Sequence, residues 1–231
     1  MFAVIMAGGL GTRLRPLTFS IPKPLLPVGE KPILEIILNK LEEHGIRDII
    51  VATGYRAELI KTYFQTGEKF GVRIEYVDEQ RRLGTAGALS LIRGKVGADE
   101  PVLVMNGDIL TKLDFRKMVA FHRDNGAEIT VGTKTFTYQV PYGVIDVENG
   151  RVRAIREKPP LEFTISAGIY VLNPSVLETI PEDTYYEMPT LIASLIADRR
   201  SVLGYPITEY WIAIEQLGQY EEALHNLGEW F

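Results

Sequence analysis

The sequence predicts an α/β fold, with a Rossmann-like, mostly parallel sheet flanked by helices and an antiparallel extension in the second half. Three observations predict it. Residues 2–6 and 101–105 are short runs that are apolar throughout, as strands covered on both faces require. Segments with a helical apolar stripe lie between such runs, the alternation of a parallel sheet wrapped by helices. Later, Asn149-Gly150 separates two strand-like runs, a hairpin turn signal.

The elements follow in order. Residues 2–6 form the first strand and stop at Gly8-Gly9. Residues 33–44 carry Leu34, Ile37, Leu38 and Leu41 on one helical face, and Gly45 can end that helix. Residues 48–53 read as a strand. Residues 57–64 form a helix with Ile60, Tyr63 and Phe64 on one side. Residues 73–78 alternate as a strand does. Residues 85–92 read as a helix, 101–105 as a buried strand and 114–124 as a helix. In the second half, 142–147 and 151–155 make the hairpin, and 165–172 is a strand. Residues 188–198 are helical, 201–205 and 210–214 are strands, and 220–227 is a closing helix. Ligands on parallel sheets bind beyond the carboxyl ends of the strands. That rule selects residues 8–15 and Asn106-Gly107-Asp108.

Composition narrows the function. The 231 residues are 46% hydrophobic and 24% charged, ordinary for a globular chain. A chain of this size buries roughly 70% of its unfolded surface. The net charge of −5 and three scattered histidines do not make the basic face of a nucleic-acid binder. No cysteine is present, which excludes disulfides, thiolate nucleophiles and cysteine-ligated metals. The apolar start is too short for a signal peptide, and no run approaches the roughly 20 apolar residues of a membrane span. The expectation is a cytoplasmic protein with neither nucleic acid nor membrane as partner.

Gly8-Gly9-Leu10-Gly11-Thr12-Arg13 follows the first strand. Glycines let a backbone approach a ligand closely, and successive amides can converge on phosphate. The string is not a Walker loop, and a dinucleotide fingerprint fails because position 14 is Leu14. Arg13, Arg15 and Lys23 fall within eleven residues, on a segment stiffened by Pro16, Pro22, Pro24 and Pro27. A rigid loop that holds cations beside free amides suits a triphosphate.

Residues 8–18 (GGLGTRLRPLT) with Pro22-Lys23-Pro24 resemble the signature of the sugar-1-phosphate nucleotidylyltransferases. Leu83-Gly84-Thr85-Ala86-Gly87, Asn106-Gly107-Asp108, Glu157-Lys158-Pro159 and Ala167-Gly168-Ile169-Tyr170 occur in the family's order. The resemblance runs from residue 2 to about residue 227. It implies the nucleotide-diphospho-sugar transferase fold as one domain over 1–231, with a nucleotide-binding half at 1–125 and a sugar-binding half at 126–231. The implied activity couples a nucleoside triphosphate to a sugar 1-phosphate and releases pyrophosphate, with Mg²⁺ as cofactor.

The resemblance also implies roles. Ala7, Gly8, Gly9, Gly11 and Thr12 would cradle the nucleotide, joined by Gly84 and Thr85. Arg13 would bind the β- and γ-phosphates, and Lys23 would bridge phosphates of the two substrates. Asp108 would hold Mg²⁺. Lys158 would grip the sugar phosphate, and Glu157 would accept hydrogen bonds from sugar hydroxyls. Asn106, Gly143, Ala167 and Gly168 would complete the sugar phosphate pocket. Arg13, Lys23 and Asp108 are then the catalytic set. The attacking phosphate oxygen is already anionic, so catalysis requires positioning and charge neutralisation rather than a general base.

One string departs from the family pattern. A second metal carboxylate usually lies in Trp-x-Asp-Ile-Gly, whereas here the string is Trp211-Ile212-Ala213-Ile214-Glu215. On a strand, positions 213 and 215 share a face, about 6.6 Å apart at about 3.3 Å per residue. Three arrangements stay open. Glu215 takes over as metal ligand after a backbone adjustment, Asp108 holds Mg²⁺ with phosphates and water, or the protein is a weak enzyme or binding protein.

Glu79 stands where relatives that use uridine or thymidine triphosphates often have Gln. An ionised carboxylate only accepts hydrogen bonds, and guanine offers two donors, so Glu79 favours GTP. Uridine, thymidine or cytidine triphosphate is the alternative. An alcohol-phosphate cytidylyltransferase and an impaired nucleotide-sugar sensor are the rival readings. A homo-oligomer is compatible with the sequence.

Overall fold

The computed structural model describes the backbone of residues 1–230 and the side chains through Asn226; Phe231 lies outside the described residues. The first half contains β1 (Phe2–Ala7), β2 (Pro27–Val28), β3 (Lys31–Pro32), α1 (Ile33–Glu43), β4 (Asp48–Thr53) and α2 (Ala57–Phe64). It continues with β5 (Arg73–Asp78), α3 (Gly84–Gly87), β6 (Val102–Asn106), β7 (Ile109–Thr111) and α4 (Phe115–Asp124). Then follow β8 (Ile129–Gln139), β9 (Val144–Glu148), β10 (Arg151–Arg156), β11 (Pro160–Leu172), α5 (Pro174–Leu177) and α6 (Met188–Ala197). β12 (Val202–Pro206), β13 (Trp211–Ala213) and α7 (Leu217–Trp230) complete the order.

Seven strands form the main sheet in the order β12-β8-β11-β6-β1-β4-β5. β1 lies between β4 and β6 and runs parallel to both. β5 continues parallel beyond β4, and β11 is antiparallel to both β6 and β8. Side chains alternate across a strand, and the core divides accordingly. Ala3, Ile5, Ile49, Val51, Leu103 and Met105 pack with α1, α2 and α4. Val4, Ile50, Ala52, Val102 and Val104 pack with α3, α5 and α6. The result is a sheet between two helical layers, so its strands are apolar on both faces. α1 buries Ile33, Leu34, Ile36, Ile37, Leu38 and Leu41. Burying each such side chain stabilises the fold by about 1.5–3 kcal/mol. α4 begins at Asp114, whose side chain accepts the Arg116 N–H at 3.0 Å, an N-cap.

The antiparallel extension consists of the outer parts of β8 and β11 and the β9–β10 hairpin. Asn149 and Gly150 turn that hairpin at φ 50° and 77°, as an Asn-Gly turn requires. Several details differ from expectation. β8 was not foreseen, and β12 joins it in parallel. Residues 85–92 do not form one helix: α3 ends at Gly87 and a 3-10 turn covers Ala88–Ile92. A distant chain segment holds that first turn, because the Tyr186 carbonyl accepts the N–H of Ala86 (3.0 Å) and Gly87 (2.8 Å). The strand expected over 210–214 ends at Ala213. The closing helix starts at Leu217, where the Gln219 side chain reaches back to the Gln216 N–H at 2.8 Å, as in a capping box.

Candidate active site

The carboxyl ends of β1 and β6 adjoin in the sheet, because Met6 pairs with Asn106. The Gly107 N–H bonds the Met6 carbonyl at 2.9 Å. The glycine-rich segment therefore lies beside Asp108, although the sequence separates them widely. An open cleft of ≈ 610 Å³ is lined by Gly9, Leu10, Gly11, Thr12, Arg13, Lys23, Arg82, Asp108 and Glu215.

Short 3-10 turns at Thr12–Leu14 and Lys23–Leu25 carry the two cations. The Thr18 hydroxyl donates to the Gly11 carbonyl at 2.7 Å and ties the loop to its own return. Lys23 Nζ contacts Asp108 Oδ2, and the two side chains are only 15% and 19% exposed. Arg13 pairs with Glu215 in a more open position, at 66% and 45%. Asp108 Oδ1 is buried with no hydrogen-bond partner.

Glu215 has left the strand. Ala213 pairs with Ile109, and the Ile214 N–H donates to the Asp108 carbonyl at 2.9 Å. The Glu215 N–H then meets the Gln219 side chain at 3.0 Å. The alternation assumed for a continuing strand does not apply. Glu215 reaches the cleft from a helix cap, and its carboxylate lies on Arg13.

Among the described residues no group of three or more His, Cys, Asp or Glu is placed to hold a metal ion. The cleft does supply two carboxylates. The orphaned Asp108 oxygen is a hard donor of the kind Mg²⁺ takes together with phosphate and water. The residues present fit such an ion.

Glu79 follows β5 and lies against Gly8: a Cβ built on Gly8 would stand 2.2 Å from Glu79 Oε1. Glu79 Oε2 accepts the Leu83 N–H at 3.1 Å. Burial pushes the Glu79 carboxyl up, opposed by the Leu83 N–H and the Arg82 charge. Ala7 is buried at the end of β1. The Thr85 hydroxyl accepts the Met188 N–H at 2.9 Å and so anchors the start of α6. Gly84 lies under the Tyr186 carbonyl.

Asn106 packs on Gly168, where a Cβ would stand 2.7 Å from Asn106 Nδ2. Ala167 is buried, and its carbonyl accepts the Trp211 indole N–H at 2.9 Å. Gly143 and Glu157 adjoin, with Glu157 Oε2 3.2 Å from a Cβ built at 143. Glu157 and Lys158 are exposed on the turn between β10 and β11, outside the lining of the cleft. Lys158 has φ 44°, and its carbonyl accepts from Gln139.

Sequence reasoning missed Arg82, Trp211 and Gln219. Arg82 could have been found as a cation directly preceding the Leu83–Gly87 motif. Trp211 was read only as part of the C-terminal string, and Gln219 becomes meaningful once the α7 cap is known.

A sheet sandwiched between helices, with phosphate-sized space beyond adjacent parallel strands, is the architecture of nucleotide-binding α/β proteins. The chain falls in that class. It belongs to the nucleotidyl transferase family, whose model matches residues 2–227. It is 34% identical to a UTP–glucose-1-phosphate uridylyltransferase of Synechocystis, over 98% of this chain and 63% of the relative. It is 39% identical to the catalytic subunit beta of a mannose-1-phosphate guanylyltransferase of Drosophila pseudoobscura pseudoobscura, over 93% and 59%. The chain thus spans less than two thirds of these relatives' length. A putative glucose-1-phosphate thymidylyltransferase of Bacillus anthracis superposes with TM-score 0.79 at 26% identity, over 97% of this chain and 94% of that one. HddC of Yersinia pseudotuberculosis complexed with GMP-PN gives 0.77 at 26%, over 98% and 99%. Among the described residues no helix is long and apolar enough to cross a membrane.

Proposed function

We propose that the protein transfers a nucleoside monophosphate from a nucleoside triphosphate, GTP in preference, to a sugar 1-phosphate and releases pyrophosphate. The observation that carries this reading is the convergence of Arg13, Lys23, Asp108 and the glycine loop on one cleft. The names of the relatives support the substrate classes.

In this reading the loop amides from Gly9 to Thr12 receive phosphate oxygens, with Ala7 and Gly8 beneath the nucleoside. Arg13 neutralises the leaving pyrophosphate. Lys23, beside Asp108, meets the phosphate under attack. No side chain must remove a proton, because the sugar phosphate oxygen is already anionic. Preorganised charge supplies the acceleration. Asp108 would hold Mg²⁺, with Glu215 as a candidate second carboxylate; when bound, the ion supplies further charge neutralisation. Glu79 accepts hydrogen bonds from guanine, near Gly84 and Thr85. On the antiparallel extension, called the arm below, Lys158 grips the sugar phosphate and Glu157 accepts hydrogen bonds from sugar hydroxyls, and Asn106, Gly143, Ala167 and Gly168 shape the pocket. A cytoplasmic address belongs to the same reading.

The test is a pyrophosphate-release screen of five nucleoside triphosphates against sugar 1-phosphates, with and without Mg²⁺. Release with at least one pair, strongest with GTP and dependent on Mg²⁺, is expected. No release with any pair, alongside tight nucleotide-sugar binding, would replace catalysis with a sensor role, which the Ala213 substitution favours.

A further inference from the structure

The two cations of the cleft expected to hold nucleotide phosphates are occupied by carboxylates. Lys23 is on Asp108 and Arg13 is on Glu215, and all four side chains line the same cleft. The two pairs differ in origin. Lys23 and Asp108 both belong to the family motifs. Glu215 stands where the family pattern has glycine, so the second pair departs from that pattern.

Glu215 is also held in place. The Ile214 N–H is fixed on the Asp108 carbonyl at 2.9 Å. Gln219 accepts the backbone N–H of both Glu215 (3.0 Å) and Gln216 (2.8 Å). The backbone that presents the carboxylate is therefore tied to Asp108 on one side and to the first turn of α7 on the other. Only the side chain is free to turn.

We propose that Glu215 competes with the triphosphate for Arg13. In the unliganded cleft its carboxylate occupies the guanidinium, and phosphate must displace it. A divalent cation that draws the Glu215 carboxylate releases Arg13, so nucleotide and cation bind with positive coupling. The same residue then acts as a brake without the cation and as a ligand with it. This rests on reading the cleft as a triphosphate site.

Inorganic tripolyphosphate tests the idea without involving the base. Its affinity is measured by calorimetry in EDTA for the intact protein, Glu215→Gln, Arg13→Ala and the double variant, and again in MgCl₂. Exposed ion pairs couple weakly, so Glu215→Gln is expected to tighten metal-free binding by about two- to fivefold. The gain should vanish in the Arg13→Ala background, and Mg²⁺ should strengthen binding less in Glu215→Gln than in the intact protein. Unchanged or weaker metal-free binding by Glu215→Gln overturns the proposal, as does an equal gain with Arg13→Ala. Either result leaves the transferase reading intact if pyrophosphate is still released. Failure of all four proteins to bind tripolyphosphate also overturns the proposal, and the pyrophosphate-release screen then decides the transferase reading. Arg13 is exposed and Glu215 half-exposed, and a melting curve for each variant confirms that it is folded.

Discussion

Gly8 and Glu79 are pressed together, leaving no room for a methyl group: a Cβ at position 8 would lie 2.2 Å from a Glu79 carboxylate oxygen. The obstacle is the far end of a flexible side chain, so Gly8→Ala should cost little stability. It should instead push Glu79 off the Leu83 N–H. We expect a melting temperature within a few degrees of the parent, because about 1 kcal/mol corresponds to roughly 2–4 °C at this size. Discrimination between GTP and UTP should fall by about tenfold, the equivalent of about 1.4 kcal/mol. Unchanged base preference in a competition assay would remove Glu79 from base selection.

The charge on Glu79 gives a pH signature. Burial raises its carboxyl above the ordinary Glu range, so the folded protein holds this proton more tightly than the unfolded chain. Stability from this group is therefore greatest at low pH and falls as pH rises through the window between the two values. Base choice runs the other way, since guanine's donors require the ionised form. GTP preference should weaken as pH is lowered into that window, and Glu79→Gln should flatten both trends. A preference that stays constant from neutral pH to pH about 5 counts against the assignment.

Lys23→Met removes the partner of a carboxylate that is only 19% exposed. Loss of one preorganised charge contact typically costs about 10²–10³ in kcat, and that range is expected here. Lys23→Arg should recover part of it. Steady-state rates above a tenth of the parent in Lys23→Met would move the catalytic burden elsewhere.

Trp211→Phe keeps an aromatic ring and loses the indole N–H that bonds the Ala167 carbonyl at 2.9 Å. A net hydrogen bond is worth about 0.5–1.5 kcal/mol. KM for the sugar 1-phosphate should rise several-fold while KM for the nucleotide stays put. Equal rises in both would show a general loss of structure.

Gly168 and Gly126 have φ of 67° and 58°, a region that costs an L-residue about 1–2 kcal/mol. A Cβ at 168 meets Asn106 Nδ2 and Ile109 Cδ1 at 2.7 Å, whereas at 126 nothing lies within 4 Å. Gly168→Ala should therefore melt lower than Gly126→Ala. Equal melting temperatures would show that Asn106 yields without cost.

The parallel half of the fold was legible because local and global demands agree there. Apolar runs at β1, β4 and β6 and the stripe of α1 each admit one reading. β8 was not, since its outer residues, such as Phe136 and Tyr138, are exposed and alternate with threonines that are also exposed. The parallel placement of β12 depends on pairing with residues some seventy positions away, which no local pattern encodes. In the site, the sequence placed the glycine loop and Asp108 each after a strand, and the structure makes those strands, β1 and β6, neighbours. The Arg13–Glu215 contact was not legible, because it depends on where α7 begins, and that in turn depends on the Gln219 cap.

β11 belongs to two structures at once. Its last residues pair with β6, which leads into Asp108, and its first residues pair with β8 in the arm, with an irregularity between Ser166 and Tyr170. The arm is therefore no freely swinging lid. To pivot it must turn about that irregularity, where Gly168 bears on Asn106. Any displacement of the extension is thereby passed to Asn106, at the carboxyl end of β6 and two residues before Asp108.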